Sequence, residues 1–400
     1  MSRRALSLAA YLAYARGGAT PKTAPLPDRP DGPVVWAYAE THEQGRALAS
    51  LCARLRGLRP EITVLVSGRM PERADLVPVP LPAETVPECD AFAKRLRPDV
   101  VLWAGRTLRP ALLDALEQHN AHLIALDAQG RLWQTPAPRW MPDPSPATLA
   151  LFDSFYTVNS DANRRLRRLG IDRSQLRKKG PLIDNDPPPT CDDQQHEKLA
   201  GLLSGRPVWL AAHLNGDEAS DVLRAHRISS RLAHRLLLIL VPANEGDAPR
   251  MITEAEALQL RVCQWDQGET PDEHTQVLIA EGPEELGLWY RLAPLVFLGG
   301  SLANGHGGQD PYLAAALGAA ILYGPNVGKH VDAYSRLVDA GAARIVRDAD
   351  SLAAAVSHLV APDQAAVMAH AGWDLVSSGA ALVDAVLSEI CAHLDHTGEQ

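Results

Sequence analysis

The chain has 400 residues, 46% hydrophobic and 22% charged, with a formal net charge of -9 at pH 7. That length carries two ordinary domains with full cores, the composition is that of a soluble globular protein, and the acidic balance argues against general nucleic-acid binding while leaving room for a local basic patch. Five scattered cysteines (Cys52, Cys89, Cys191, Cys263 and Cys391) form no CxxC pair and no His/Cys cluster, which fits free thiols in a reducing compartment rather than zinc.

At the N-terminus, Arg3 and Arg4 precede the apolar run Ala5–Ala15. A bilayer span takes about 20 residues, so this run is too short, and Arg16-Gly17-Gly18 offers no convincing cleavage site. It predicts an amphipathic helix that packs on the domain or lies on a membrane surface. No other segment reads as a span.

Short apolar runs then alternate with helical patterns. Val34–Ala39 reads as a strand, Glu43–Leu58 as a helix, Ile62–Ser67 as a strand and Cys89–Leu96 as a helix. Val100–Ala104 follows as a strand, Pro110–Gln118 as a helix, and His122–Asp127 and Phe155–Asn159 as strands. Ser160–Leu169 is the next helix. The alternation predicts right-handed crossovers and a parallel, doubly wound sheet. Gly180–Gln195 holds four prolines and four aspartates and reads as a linker.

Alternation restarts with strand Val208–Ala212, helix Glu218–Arg235, strand Leu236–Pro242 and helix Ile252–Leu260. Val262–Trp265 and Val277–Ala280 read as short strands, Glu284–Leu292 as a helix. Val296–Pro325 then gives a buried strand, a glycine-rich loop, a helix and a second buried strand. Asp310 suits an N-cap, Pro311 the first helical position and Gly318 the helix end. Val331–Ala340 and most of the chain after Asp348 read as helical. The fold class is α/β, with two Rossmann-like domains whose carboxyl edges face a cleft. The boundaries are an N-terminal segment 1–29, a first domain 30–180, a linker 181–200 and a second domain 201–400.

Several segments resemble the 3-deoxy-D-manno-octulosonic acid (Kdo) transferases. They are Phe152–Ile171, Gly180–Asn185, Pro207–His213, Leu236–Pro242, Glu284–Leu302, Gly307–Pro311 and Leu322–Pro325. The block from EELG to LYGP is the specific part. The resemblance implies the GT-B architecture, an acceptor domain followed by a nucleotide-sugar donor domain, and transfer of Kdo from CMP-Kdo to a lipid A precursor. It also implies a place at the cytoplasmic face of a Gram-negative inner membrane. Aligned with the family, Glu43 stands at the glutamate proposed as base, with His42 replacing a glycine before it. Departures accompany the match. No carboxylate follows Val100–Trp103, where an acidic pair is expected. Ala243 and Asn244 replace an arginine–histidine pair, Gln309 and Asp310 replace histidine and asparagine, and Leu313 replaces a glutamate expected to hold ribose.

Glycosyl transfer needs a base for the acceptor hydroxyl, donors for the leaving phosphate and a hold on the sugar carboxylate. Glu43 is the candidate base, with Glu40 and His42 beside it. The same Glu43 also suits the first turn of a helix on electrostatic grounds alone. Backbone N–H groups of Gly299, Gly300, Ser301, Gly307, Gly308 and Gln309 are candidates for the phosphate, and Gln309 and Asp310 for hydroxyls. Glu285, Leu286 and Gly287 open another helix at the expected donor side, and His213 and Asn215 follow the first strand of the second domain. No acidic cluster suggests Mg2+, so no cofactor and a metal-independent reaction are expected. Arg164–Lys179 carries eight basic residues and one acid, either a solvated face or a contact to a phosphorylated acceptor or membrane. A different donor or acceptor, or binding without turnover, are the alternative readings.

Overall fold

Val34–Ala39 (β1) is buried at all six positions, as expected of a strand covered on both faces. Its residues alternate: Val34, Trp36 and Tyr38 join one core with helices Leu6–Ala15, Val86–Leu96 and Pro110–Gln118, while Val35, Ala37 and Ala39 join another with helix His42–Leu58. The structure is a computed structural model. It describes residues 6–17, 26–128, 133, 135–138, 140–184, 191–280, 282 and 285–398. Arg3, Arg4, Glu284 and 185–190 of the expected linker lie outside the described residues.

The chain forms two units. The first comprises residues up to Asp186 together with Ser378 onward, and the second comprises Pro187–Ser377. In the first, Thr63–Gly68 (β2), Val77–Pro78 (β3), Val100–Ala104 (β4), His122–Ala128 (β5), Ser154–Thr157 (β6) and Leu176–Lys179 (β7) join β1 in the order β3-β2-β1-β4-β5-β6-β7. The second unit holds Val208–Leu214 (β8), Leu237–Pro242 (β9), Val262–Gln264 (β10), Val277–Ile279 (β11), Leu295–Leu298 (β12), Ala320–Tyr323 (β13) and Ala343–Ile345 (β14). Their order is β10-β11-β9-β8-β12-β13-β14. Every ladder among the described residues is parallel. The strand order therefore reverses between β1 and β4 in one sheet and between β8 and β12 in the other. These reversals are the switch points beside which open α/β sheets leave a crevice.

Two boundaries differ from the sequence reading. Helix Asp193–Leu202 begins inside the expected linker, where Asp192 accepts from the N–H groups of Gln194 and Gln195. The C-terminal residues, kept in the second domain by sequence order, are split. Helix Pro362–Gly398 starts in the second unit, where Gly372 lies against Ala315 and Ala342. It ends in the first, where Leu382, Val383, Val386, Leu387, Ile390 and Leu394 complete the core behind β1. There Glu389 accepts from Tyr156 Oη at 2.8 Å and sits 3.0 Å from His122 Nε2 and 3.4 Å from Arg177. Burial alone would raise its carboxyl, but the bonds from His122 and Tyr156 outweigh burial and hold it at about 2. This helix is long and apolar enough to cross a membrane by length and composition, contrary to the sequence reading. Its part from Leu382 to Leu394 packs in the first unit's core, while 33% of its most apolar stretch is buried.

The N-terminal run forms helix Leu6–Ala15. Leu8, Tyr11, Leu12 and Ala15, spaced at helical period, are buried. Leu6 and Tyr14 remain exposed, Tyr14 meeting the edge of exposed Trp140 at 6.4 Å between ring centroids.

Candidate functional site

Both switch points are crossed by a carboxylate. In the first unit β1 ends at Ala39, and Glu40 is the next residue. Its Oε2 accepts from the N–H groups of Arg106 and, at 3.2 Å, Thr107; its Oε1 accepts from the Thr107 hydroxyl at 2.6 Å. Those donors lie in the loop after β4. Gly105 permits the approach, since a Cβ there would meet the Tyr38 ring at 2.8 Å and Glu40 Oε2 at 3.3 Å. Burial raises the Glu40 carboxyl, but the bonds from Thr107 and Arg106 outweigh it and leave it below its ordinary value. Glu40 is thus a fixed bridge and a poor proton acceptor.

The following turn holds Glu43. Thr41 and Gln44 form a capping box at the start of helix His42–Leu58. Glu43 in that first turn is 9% exposed and His42 is exposed. Gly45 seats the turn on β2's loop, because a Cβ there would lie 2.0 Å from the Arg69 carbonyl. Gln44 Nε2 donates to Asp127 Oδ2 at 3.2 Å, so the end of β5 also meets this turn.

In the second unit the crossing carboxylate belongs to Glu218, four residues past β8 and 1% exposed. Its Oε2 accepts from Gly300 N–H at 2.6 Å and Asn215 N–H at 3.3 Å; its Oε1 accepts from Leu302 N–H at 2.6 Å and Ala303 N–H at 3.2 Å. The glycine-rich loop does gather N–H groups around an anion, but the anion there is the chain's own. This corrects the expectation that the N–H groups of Gly299 and Gly300 face a ligand phosphate. Gly299 N–H continues the ladder to the Ala212 carbonyl at 2.8 Å, and Gly300 N–H serves Glu218. The Ser301 hydroxyl is buried, donates to the Leu298 carbonyl and accepts from Gly324 N–H at 2.8 Å.

The rest of the loop folds back. Gly308 N–H donates to the Gly300 carbonyl at 2.7 Å, and Gly300, Gly305, Gly307 and Gly308 all have positive φ. At Gly308 a Cβ would lie 3.0 Å from Val327 Cα, and at Gly328 one would lie 2.9 Å from the Gly307 carbonyl, so this loop and the one after β13 touch through backbone. The Gln309 carbonyl accepts from Tyr334 Oη at 3.0 Å. The helix here is Tyr312–Ala316 with Pro311 at its N-cap, one residue later than expected, and Asp310, just before the cap, accepts from Tyr312 N–H at 3.0 Å, with His330 Nδ1 3.8 Å away.

His213 adopts a left-handed backbone, φ +53°, and its carbonyl lies where a Gly299 Cβ would be 2.5 Å away. Burial lowers its imidazole pKa and favours the neutral ring. Asn215 is buried, its Nδ2 3.1 Å from where a Gly300 Cβ would stand. Leu286 and Gly287 are buried at the start of helix Leu286–Leu292, while the Glu285 carboxylate accepts from Gln195 Nε2 at 3.1 Å and Trp265 Nε1 at 2.7 Å. His306, which sequence reasoning passed over, bonds Asp217 at 3.0 Å, and that bond raises its pKa. The bond favours its protonated form beside the loop and joins it to the segment after β8.

Residues 15–182 match the family model described as 3-Deoxy-D-manno-octulosonic-acid transferase (kdotransferase). The 3-deoxy-D-manno-octulosonic acid transferase of Haemophilus influenzae is 27% identical over 195 residues, which are 48% of this chain and 45% of that protein. Its Bordetella pertussis namesake is 26% identical over 401 residues, covering 95% of this chain and 91% of that protein. Among solved structures, the C-terminal CMP-Kdo binding domain of WaaA from Acinetobacter baumannii is 23% identical with a TM-score of 0.42, covering 48% of this chain and 96% of that one.

Proposed function

We propose that this chain, a divergent relative of the Kdo transferases, is a glycosyltransferase that moves Kdo from CMP-Kdo to a lipid A precursor. The observation that carries the reading is likeness along both units: a family match over 15–182 and a namesake enzyme aligned over 95% of the chain. In this reading Glu43 takes the acceptor hydroxyl proton as the oxygen attacks the anomeric carbon of Kdo. The bond from that carbon to the phosphate oxygen breaks, and CMP leaves with the electron pair. The second unit holds the donor. Gly300 and Gly308, whose N–H groups are taken within the chain, are removed from the phosphate's partners, which leaves Gly307 and Gln309, with Asn215, His213 and Asp310 nearby, as the proposed contacts. His306 adds positive charge when protonated. The reaction is proposed to need no metal, its charge being met by these donors.

Peripheral contact with the cytoplasmic face of the inner membrane belongs to the same proposal. Exposed Leu6, Tyr14 and Trp140 support it, since an amphipathic ring suits the lipid–water interface. So do exposed Arg164, Arg167 and Arg168. A second reading, donor binding without turnover, is favoured by one observation: Glu218 already fills the N–H cluster at the glycine-rich loop.

A mass-spectrometric transfer assay with CMP-Kdo and lipid A precursor tests both. Product from wild type and little from Glu43→Gln supports the enzyme and its base. Product from both variants removes Glu43 from the role. No product from wild type beside a working control enzyme, with CMP-Kdo bound in calorimetry, establishes the second reading.

A further inference from the structure

The opposite edge of the second unit's sheet carries a feature that the transfer reaction does not use. β8 begins at Val208, β12 at Leu295, and Gly318 lies just before β13, so these residues mark the amino edge, away from the glycine-rich loop. They line a cavity of about 650 Å³, within the size range of ligand sites. Its walls are mostly apolar, among them Leu203, Val208, Leu292, Leu295, Leu359 and Ala366. Leu202 and Val367, each next in sequence to a wall residue, are 54% and 70% exposed.

Arg206 lines this cavity and also a neighbouring polar pocket of about 290 Å³ with His234, Arg235 and Arg261. His234 continues into a third pocket of about 360 Å³ that includes Arg227 and Arg231. One surface therefore runs from hydrocarbon to cation without a break. The Arg206 guanidinium donates to the carbonyls of Arg235 at 2.7 Å, Asp272 at 2.8 Å and Thr275, so neutral oxygens hold it in place, with the Asp272 carboxylate acting on its charge from beyond hydrogen-bond range. Arg227, Arg231, Arg235 and Arg261 are exposed, and no ion pair engages them among the described residues. The acid lining these pockets is Glu273, 3.6 Å from His274. Helix Ala219–Ser230 ends here, and its dipole accounts for Arg227 and Arg231 alone. It accounts neither for Arg235 and Arg261 nor for the cavity beside them. Leu232, 80% exposed between Arg231 and Arg235, adds an apolar tip to the cationic rim.

We propose that this edge binds an anionic amphiphile, with the hydrocarbon chain in the cavity and a phosphate or carboxylate head on the arginines. Apolar walls supply affinity in proportion to the surface they cover, and guanidinium groups match carboxylate and phosphate oxygens in fork geometry. The site lies within one unit and is independent of the transfer reading.

Oleate, below its micelle-forming concentration, is the first probe, with oleyl alcohol as the uncharged counterpart, both titrated calorimetrically into the full chain. Flotation with vesicles of phosphatidylcholine, with and without phosphatidylglycerol, is the second. Two variants divide the surface: Ala366→Phe fills the cavity mouth from an exposed helix position, and the pair Arg231→Glu with Arg235→Glu reverses the rim. Circular dichroism checks their folding, and Ala369→Phe replaces the first if it fails to fold. Wild type is expected to bind oleate more tightly than the alcohol, and each variant to weaken binding by about tenfold. Flotation that needs phosphatidylglycerol and is lost in both variants assigns the occupant to a bilayer lipid; oleate binding without flotation assigns it to a free acid. The proposal is overturned if wild type takes neither probe, if the alcohol binds as tightly as oleate, or if either variant binds like wild type.

Discussion

The two switch points solve the same problem with unequal closure. In each, a carboxylate following the first strand of the switch point reaches the loop of the strand beside it: Glu40 from β1 to Arg106 and Thr107, Glu218 from β8 to Gly300, Leu302 and Ala303. Glu40 stays half-buried and meets a hydroxyl as well as backbone, and the neighbouring turn still offers Glu43. Glu218 is 1% exposed and accepts, among the described residues, from four backbone N–H groups. In the first, the brace is Glu40 and a second carboxylate, Glu43, follows in the next turn. In the second, the brace occupies the place where N–H groups converge, so a donor phosphate must be met further along the loop. The difference shows that a glycine-rich loop at a helix start is an anion site whose anion may be internal, and that only three-dimensional partners tell which.

The comparison breaks most sharply at Glu218. Replacement by alanine removes a buried charge and strands four backbone donors, a loss of about 3–5 kcal/mol by analogy with breaking buried ionic contacts. Urea unfolding midpoints measure it, and a loss below 1 kcal/mol would mean that water or a rearranged loop serves those donors. Second in size is Glu43→Gln, expected to lower kcat by about 100-fold if this turn holds the base. The same substitution is expected to cost about 1–2 kcal/mol of stability, because Glu43 is 9% exposed. A large stability loss with unchanged turnover would make Glu43 a brace like its neighbours.

Glu40→Gln is the smaller counterpart of Glu218→Ala, at about 1.5–3 kcal/mol for bonds to a charged group. It also has a pH signature. The folded-state carboxyl is lowered, so its contribution is full above the ordinary value of 4.5 and disappears as pH falls through the folded value. The stability gap between wild type and Glu40→Gln should therefore be constant from pH 7 to pH 6 and shrink below pH 4.5. A gap that persists in acid would assign the effect to shape rather than charge. Least in size, Tyr334→Phe removes the bond to the Gln309 carbonyl and is expected to cost about 1 kcal/mol. It sharpens the comparison if KM for the donor rises while kcat holds, because the far part of the loop is where the donor is proposed to sit.

Much of the fold could be read before the structure. Val34–Ala39, Val100–Ala104 and the two strands expected within Val296–Pro325, observed at Leu295–Leu298 and Ala320–Tyr323, match because continuous apolar runs bounded by turn residues are what parallel sheets require, and Pro110–Gln118 matches as a helix opened by its proline. The elements passed over were edge strands with weak signals. Val77–Pro78 is two residues long, Leu176–Lys179 is mostly basic, and Ala343–Ile345 is interrupted by arginine. Helix Asp193–Leu202 was hidden by the prolines before it. At the site, the glycine-rich loop announced itself, since its positive φ values demand glycine. Glu218 did not: one acid at a helix start looks like many others, and its partners are 82–85 residues away. Sequence spacing also gave no sign that the C-terminal residues would leave their neighbours and complete the first unit's core.

That last feature imposes an order on synthesis. The second unit is one contiguous stretch, Pro187–Ser377, and has all its parts once that stretch has left the ribosome. The first unit, although translated earlier, lacks Leu382, Val386 and Ile390 until the second unit has been made and the chain has passed beyond it. The half that starts first finishes last, and the β1 face of Val35, Ala37 and Ala39 waits with part of its cover, helix His42–Leu58, until the final helix arrives, the interval in which a nascent sheet is most exposed to mispairing.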